Sequence, residues 1–168
     1  MKNKDKAHIG LIRIIVKIIV LVGVLYLIFN VLLGLIRIEG GSMSGRVEDG
    51  DLALYSRMDK DYKADDIIIF NHNGEQYISS IAAMPGDLVE FDEQGRLYVN
   101  KVQVSEAILY DKDQGEKLHI SLPFRVPNGS YFVVNNNPED TNDSRTFGAI
   151  NSQEIQGKMI GILRTRAL

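Results

Sequence analysis

The chain contains no cysteine among its 168 residues. This absence excludes disulfides, thiolate metal sites and a cysteine nucleophile. Basic residues are scarce beyond the first segment: residues 39–168 contain 13 Lys and Arg against 21 Asp and Glu, a net charge of −8. An acidic surface does not attract phosphate backbones, so we expect no nucleic-acid partner. The three histidines are scattered and the sequence has no cluster of metal ligands, so we also expect no metal and no cofactor.

A long uncharged run near the N-terminus is the clearest feature of the sequence. Residues 18–36 are 19 consecutive residues without a charge, and a helix of that length crosses a hydrocarbon layer of about 30 Å. Residues 1–38 contain six basic residues and one acidic residue, a net charge of +5, and five of the six basic residues precede the run. This asymmetry places the N-terminus in the cytoplasm. We therefore predict a cytoplasmic N-terminus at 1–17, a transmembrane helix at 18–38 and an extracytoplasmic domain at 39–168.

A cleaved secretory signal would also begin with basic residues. Its apolar core spans about 7 to 15 residues and ends at a small-residue cleavage site. The run in this chain is longer and ends in Leu35-Ile36-Arg37-Ile38-Glu39. An uncleaved single-pass anchor in the cell membrane therefore fits the sequence better.

The remainder of the chain has the pattern of a mostly β domain. Short runs rich in β-branched and aromatic residues alternate with turn residues. Asn71-His72-Asn73-Gly74 predicts a hairpin turn, with the glycine at positive φ, and the charged stretch 110–117 predicts an exposed loop. The predicted strands are 51–55, 66–70, 76–82, 87–91, 97–104, 130–134 and 158–165.

Three segments carry residues suited to chemistry. Gly40-Gly41-Ser42-Met43 follows the anchor, and glycines beside a serine let the backbone approach a substrate and free an N–H for an oxyanion. Such a loop is also a common linker. Residues 76–87 form a strand that runs into a Pro-Gly turn. Residues 126–148 contain an Asn-rich turn followed by Asp143-Ser144-Arg145. Taken alone, Asp143 and Arg145 would be a surface ion pair of small energetic value.

The order of these motifs behind one anchor resembles the bacterial type I signal peptidases (peptidase S26), of the short Gram-positive kind. The motifs are Gly-x-Ser-Met, Gly-Asp, Pro-Gly-Asp and Asp-Ser-Arg-x-Phe-Gly, and the resemblance covers nearly the whole chain. It implies a signal-peptidase-like β domain of short antiparallel strands outside the membrane. Such a domain binds a signal peptide as an extended strand and cleaves after small residues.

The resemblance also implies roles for individual residues. Ser42 matches the nucleophile, and Ser144 matches a residue that orients the general base. Asp143 and Arg145 match structural positions near the site. The peptide-binding positions are Gly41 and Met43 in the loop and Gln76, Tyr77 and Ile78 in the strand.

The chain departs from the family pattern at the general base. The family has Lys-Arg eight and seven positions before the Asp of Pro-Gly-Asp, and counting back from Asp87 gives Ser79 and Ser80. A serine hydroxyl cannot accept a proton near neutral pH in place of a lysine amine. The family's Gly-Asp-Asn-Arg is also replaced, by Asn135 to Pro138.

Two functions remain open at this stage. The first is a catalytically impaired, SipA-like binding protein. Proteins of that kind lack the catalytic Lys, occur beside pilin and sortase genes in streptococci and assist pilus assembly. Its expected partners are the membrane, a signal-peptide or pilin segment and a sortase. The alternative is an active signal peptidase that uses Ser42 with an unrecognised base, for which His72 and Lys158 are poor candidates.

Overall fold

The structure is a computed structural model that describes residues 2–38, 47, 49–104, 120–135, 137 and 140–164. Of the predicted site, Gly41, Ser42 and Met43 lie outside the described residues. The predicted loop at 110–117 also lies outside them. The other predicted site residues are described.

The N-terminal segment is one long helix, α1, at Lys2–Leu27, followed by a π-helical turn at Ile28–Leu32. Residues 10–32 are long and apolar enough to cross a membrane, with a mean hydropathy of 2.7. Most of their large apolar side chains are exposed, and none of the residues in the apolar window is buried. The part of the chain that the structure describes thus has one helix suited to a membrane.

The helical segment ends at Leu32, and not at Ile38 as predicted. Residues Leu33–Arg37 form a β-strand, whose ladder continues through the Ile38 N–H to the carbonyl of Asp51 at 2.8 Å. The ring of Tyr55 packs directly over Gly34, where any side chain would collide with it. An apolar run does not distinguish a helix from a strand by composition alone. Tertiary pairing therefore decides the conformation of 33–37.

The described residues contain eleven strands in chain order, and every pairing between them is antiparallel. They are β1 Leu33–Arg37, β2 Leu52–Ser56, β3 Ile67–His72, β4 Glu75–Ala83, β5 Leu88–Phe91, β6 Leu97–Val99, β7 Val102–Gln103, β8 Phe124–Arg125, β9 Ser130–Val134, β10 Ile150–Asn151 and β11 Ile155–Leu163. A short helix, α2, spans Ser144–Phe147.

Two sheets are built from these strands. Among the described residues, one sheet has seven strands in the order β1-β2-β11-β3-β4-β9-β10, and the other has four in the order β7-β6-β5-β8. Strand β11, the last strand in chain order, lies between β2 and β3 in the large sheet. It therefore connects β2 with the hairpin β3–β4 through hydrogen-bonded pairing.

The prediction of a mostly β domain of short antiparallel strands behind one apolar helix is confirmed. Six of the seven predicted strands are present with small shifts at their ends. The hairpin turn between β3 and β4 has Asn73 and Gly74 at φ of 54° and 89°. The prediction of one strand at 97–104 is wrong. Asn100 and Lys101 adopt φ of 51° and 69°, which reverses the chain between β6 and β7 because positive φ is incompatible with a continuous strand.

Candidate active site

The candidate site is built around a buried ion pair. Asp143 and Arg145 are 0% and 2% exposed, and Nη2 of Arg145 lies 2.8 Å from Oδ2 of Asp143. The carboxylate also accepts from the backbone N–H of Arg145 at 2.9 Å, which caps α2, and Arg145 Nη2 donates to the carbonyl of Asp140 at 2.7 Å. The pair is therefore not the ordinary surface ion pair that the two residues alone would suggest, because both charges are removed from water and each is held by several partners.

This pair fixes the end of β9. The N–H of Asn135 donates to Oδ2 of Asp143 at 2.8 Å, and the N–H of Val133 donates to Oγ of Ser144 at 2.9 Å. Two backbone donors near the end of β9, beyond its pairing with β10, are thereby satisfied by side chains from α2 and its cap. The position of Ser144 is thus set by the backbone of β9.

Ser79 lies opposite Asn135 and is completely buried. Its hydroxyl contacts Oδ1 of Asn135 at 2.6 Å, and Asn135 is 2% exposed. The amide nitrogen of Asn135 lies 3.4 Å from the carbonyls of Asp140 and Asn142. Ser79 therefore donates a hydrogen bond to a carboxamide whose nitrogen contacts two carbonyls of the turn that precedes α2.

Asn135 is the site residue that sequence reasoning did not place in the candidate set. Register explains its contact: Ser80 pairs with Val134, so the next residues along the two strands, Ser79 and Asn135, continue the same antiparallel alignment. Cross-strand neighbours of this kind have side chains close together on one face. The signal available in the sequence was its place eight residues before Asp143, within the altered Asn-rich turn.

Among the described residues, strand β4 has one edge paired with β3 and one edge that is open near Gln76 and Ile78. The N–H of Asn71 in β3 donates toward β11, to the carbonyl of Glu154. Since backbone groups alternate in direction along a strand, Phe70 of β3 bonds to its partner Tyr77 of β4. The N–H and C=O of Gln76 and Ile78 consequently point to the other side.

That other side of β4 is only partly covered. Strand β9 pairs with β4 from Ser80 to Ala83 and ends there. Within the described ranges no strand pairs with β4 at Gln76 or Ile78 on this edge. In the described part of the chain, Gln76 and Ile78 thus present their backbone donors and acceptors along an open edge.

The described residues on either side of the segment that contains Ser42 pack with Ile78. Ile38 and Val47, on either side of residues 39–46, are 2% and 1% exposed and belong to one apolar cluster with Ala53 and Ile78. We call these four residues the Ile38 cluster. Ile38, Val47 and the side chain of Ile78 therefore pack together.

The two alternative bases are both engaged elsewhere. Lys158 donates to Asp66, with Nζ 2.9 Å from Oδ2, and this hydrogen bond raises the pKa of Lys158. Nδ1 of His72 lies 2.7 Å from Oε1 of Glu154, and its ring stacks on Phe147. His72 is opposite Glu75, four residues from Ser79 and thus roughly 13 Å along β4.

No group of three or more His, Asp and Glu side chains in the described part of the chain is arranged to hold a metal ion. The polar side chains of the candidate site are instead bonded to one another or to the backbone. The site as described thus has the character of a hydrogen-bonded polar network.

Comparison with known proteins places the chain in a family. The family model described as "Signal peptidase, peptidase S26" matches residues 11–163. Signal peptidase I P of Bacillus subtilis subsp. natto is 32% identical, over 71% of this chain and 70% of that protein. Signal peptidase IB of Staphylococcus aureus is 26% identical, over 89% of this chain and 87% of that protein. The chain belongs to the peptidase S26 signal peptidase family.

Among solved structures, a signal peptidase I from Enterococcus faecalis V583 is similar to this chain. It is 27% identical, with a TM-score of 0.44 over 59% of this chain and 97% of that structure.

Replacing Asp143 by Asn should destabilise the fold strongly. The variant leaves the buried guanidinium of Arg145 without its carboxylate, which costs about 3–5 kcal/mol. The matched control is Asp92→Asn, which breaks an ion pair with Arg96. The side chains of Asp92 and Arg96 are 22% and 42% exposed, so we expect little change in the free energy of unfolding. Denaturant unfolding of the two variants in detergent measures both effects, and equal losses would contradict a buried, structural role for Asp143.

Proposed function

We propose that this protein is a membrane-anchored, signal-peptidase-like binding protein. It holds an extended segment of a signal peptide or pilin in its cleft without cleaving it, and assists the assembly of pili or other surface proteins. A sortase is its expected further partner. The observation that carries the proposal is the open edge of β4 at Gln76 and Ile78, beside a Ser79 whose hydroxyl is already bonded to Asn135.

The proposed topology is a single pass with the N-terminus in the cytoplasm. It is supported by the apolar helix at residues 10–32 and by the net charge of +5 on residues 1–38 against −8 on 39–168. The basic residues before Ile18 mark the cytoplasmic side, and the domain from β1 onward lies outside the cell.

Protease added to intact cells stripped of their wall should digest the 39–168 region. The topology requires this because the acidic domain lies on the outer side of the membrane. A tag fused at the N-terminus should survive the same treatment and serves as the internal control. Protection of the domain, or digestion of the tag alone, would reverse the topology.

Binding by strand addition follows from the geometry of β4. A peptide laid along the open edge can bond to the backbone groups of Gln76 and Ile78, which supplies affinity that does not depend on side chains. Alternate peptide side chains would point toward the Ile38 cluster, where small pockets confer selectivity. Gly41, Ser42 and Met43 are proposed to form the opposite wall, since both flanks of their loop pack with Ile78.

The proposed absence of cleavage follows from Ser79, which occupies the position where the family has the general base. Ser79 is a hydrogen-bond donor to Asn135 and has no basic group. Lys158 is no substitute, because its raised pKa keeps the amine protonated when a base must be neutral. Ser144 accepts from the N–H of Val133 and is proposed to be a structural residue, with no base to orient.

The purified wild type should therefore cleave signal-peptide substrates no faster than Ser42→Ala. Loss of a general base alone lowers a rate by about 10² to 10⁴, and more when nucleophile and base act as a unit. Turnover of the same substrate by an established signal peptidase confirms that the assay works. Turnover by the wild type that disappears in Ser42→Ala would instead establish the alternative, an active peptidase with an unrecognised base.

Replacing Gln76 by Pro should weaken peptide binding by about tenfold, because proline removes an N–H that faces the open edge. Gln76 is exposed and this N–H is not part of the pairing with β3, so the fold should be retained. Gln76→Ala is the matched control: it also removes the side-chain contact with Gln156 but keeps the N–H. Affinities for a signal-peptide or pilin segment are compared by fluorescence anisotropy. Equal affinities of the two variants would contradict strand addition at this edge.

A further inference from the structure

We infer that Asn135 keeps the candidate site closed to a basic side chain at position 79. Its carboxamide fills the space that such a side chain would need, so position 79 accepts only a small residue. The inference rests on the proposed function, in which the protein binds a peptide without cleaving it. It adds the residue that maintains this state.

The first argument is the packing around Ser79, which is completely buried. Ser79 is opposite Ile68 of β3, and Ile81, two residues along β4, lies on the same face. Ile68 and Ile81 are themselves buried members of one apolar cluster. On the side of β9, the carboxamide of Asn135 contacts the hydroxyl of Ser79 at 2.6 Å. Packed side chains therefore adjoin Ser79 toward β3, along β4 and toward β9.

The second argument is the direction in which a longer side chain at position 79 could extend. Close-packed core residues such as Ile68 and Ile81 resist displacement. Asn135 is the first residue beyond β9, where the pairing with β4 ends, so its side chain is the wall of Ser79 that faces the open edge of β4. In the described part of the chain, a four-carbon side chain at position 79 would reach this edge through the space of the carboxamide.

The third argument is that Asn135 is held in place. Its N–H donates to Oδ2 of Asp143 at 2.8 Å, and its Nδ2 lies 3.4 Å from the carbonyls of Asp140 and Asn142. These contacts direct the carboxamide oxygen toward Ser79. Turning the side chain away would leave buried polar atoms without partners, which is costly. Asn135 is therefore a fixed wall.

Charge acts in the same direction as packing. Asp143, the carboxylate bonded to Asn135, is already paired with Arg145 at 2.8 Å, and both side chains are buried. A second buried cation nearby would compete for this carboxylate and would weaken the pair. A neutral residue at position 79 avoids that competition.

Two replacements of Ser79 separate size from hydrogen bonding. Ser79→Ala and Ser79→Met both remove the hydroxyl, but only methionine approaches lysine in length, and it carries no charge. Each replacement is made in the full chain, alone and together with Asn135→Ala. Denaturant unfolding in detergent gives the unfolding equilibrium constants, and circular dichroism confirms that each variant is folded.

With Asn135 present, the unfolding constant of Ser79→Met should be at least about tenfold larger than that of Ser79→Ala, because overpacking destabilises a close-packed core. Combined with Asn135→Ala, the two constants should agree within about twofold, since the space is then free. Asn128→Ala, at an exposed residue in the turn before β9, is the matched control and should leave the tenfold difference in place. A difference that persists with Asn135→Ala would overturn the inference.

Cleavage is the second readout, and a purely structural role of Asn135 would not change it. Ser79→Lys combined with Asn135→Ala should cleave a signal-peptide substrate at least about tenfold faster than Ser79→Lys alone, because only the combined variant has room for a base. Adding Ser42→Ala should abolish the gain. Equal rates of the two folded Ser79→Lys variants would overturn the inference. Cleavage by the wild type would instead contradict the proposed function, so the two failures are distinguishable.

Discussion

Burial of the Asp143–Arg145 pair is the constraint on which the candidate site depends. A carboxylate or guanidinium taken out of water alone carries a desolvation cost of several kcal/mol, which close pairing and full hydrogen bonding must offset. Here the carboxylate accepts from the guanidinium, from the N–H of Arg145 and from the N–H of Asn135. The same contacts that offset desolvation also form the cap of α2 and hold the end of β9. Energetics and geometry are thus satisfied by one set of bonds.

The Ser79–Asn135 contact is a consequence of that framework. Asn135 follows β9 directly, and its backbone N–H is bonded to Asp143. Its side chain is therefore held opposite Ser79 of β4. A buried carboxamide needs a donor for its oxygen, and the hydroxyl of Ser79 supplies one. A short residue at 79 and a longer one at 135 therefore fit each other in size and in hydrogen bonding. Changing either residue alone would leave a buried polar group without its partner, so the two positions should be energetically coupled.

Much of the fold could be predicted from the sequence, because its signals are local. The apolar run, the strand patterns and the turn at Asn73-Gly74 depend on short stretches of chain. The boundary at Leu32 could not be predicted, since pairing with β2 decides it. Strand β10 has two residues, which is too short to show the alternation of apolar and polar residues that predicts a strand. Asp143 and Arg145 were placed near the site by motif alone. Their burial depends on where α2 packs, which a spacing of two residues does not encode.

The large sheet gives the proposed function its geometry. Strand β11 pairs with β2, and β3 and then β4 follow it across the sheet. Neighbouring strands are about 4.8 Å apart, so the open edge of β4 lies about 10 Å from β11 in the plane of the sheet. A signal peptide emerges from the bilayer as an extended segment just beyond its apolar helix. In the proposed arrangement the sheet begins directly after the anchor and holds a strand edge close to the membrane, so that the peptide can pair with β4 while its helix remains in the lipid. Binding near the membrane then needs no flexible linker, and the short junction between α1 and β1 is what keeps this distance fixed.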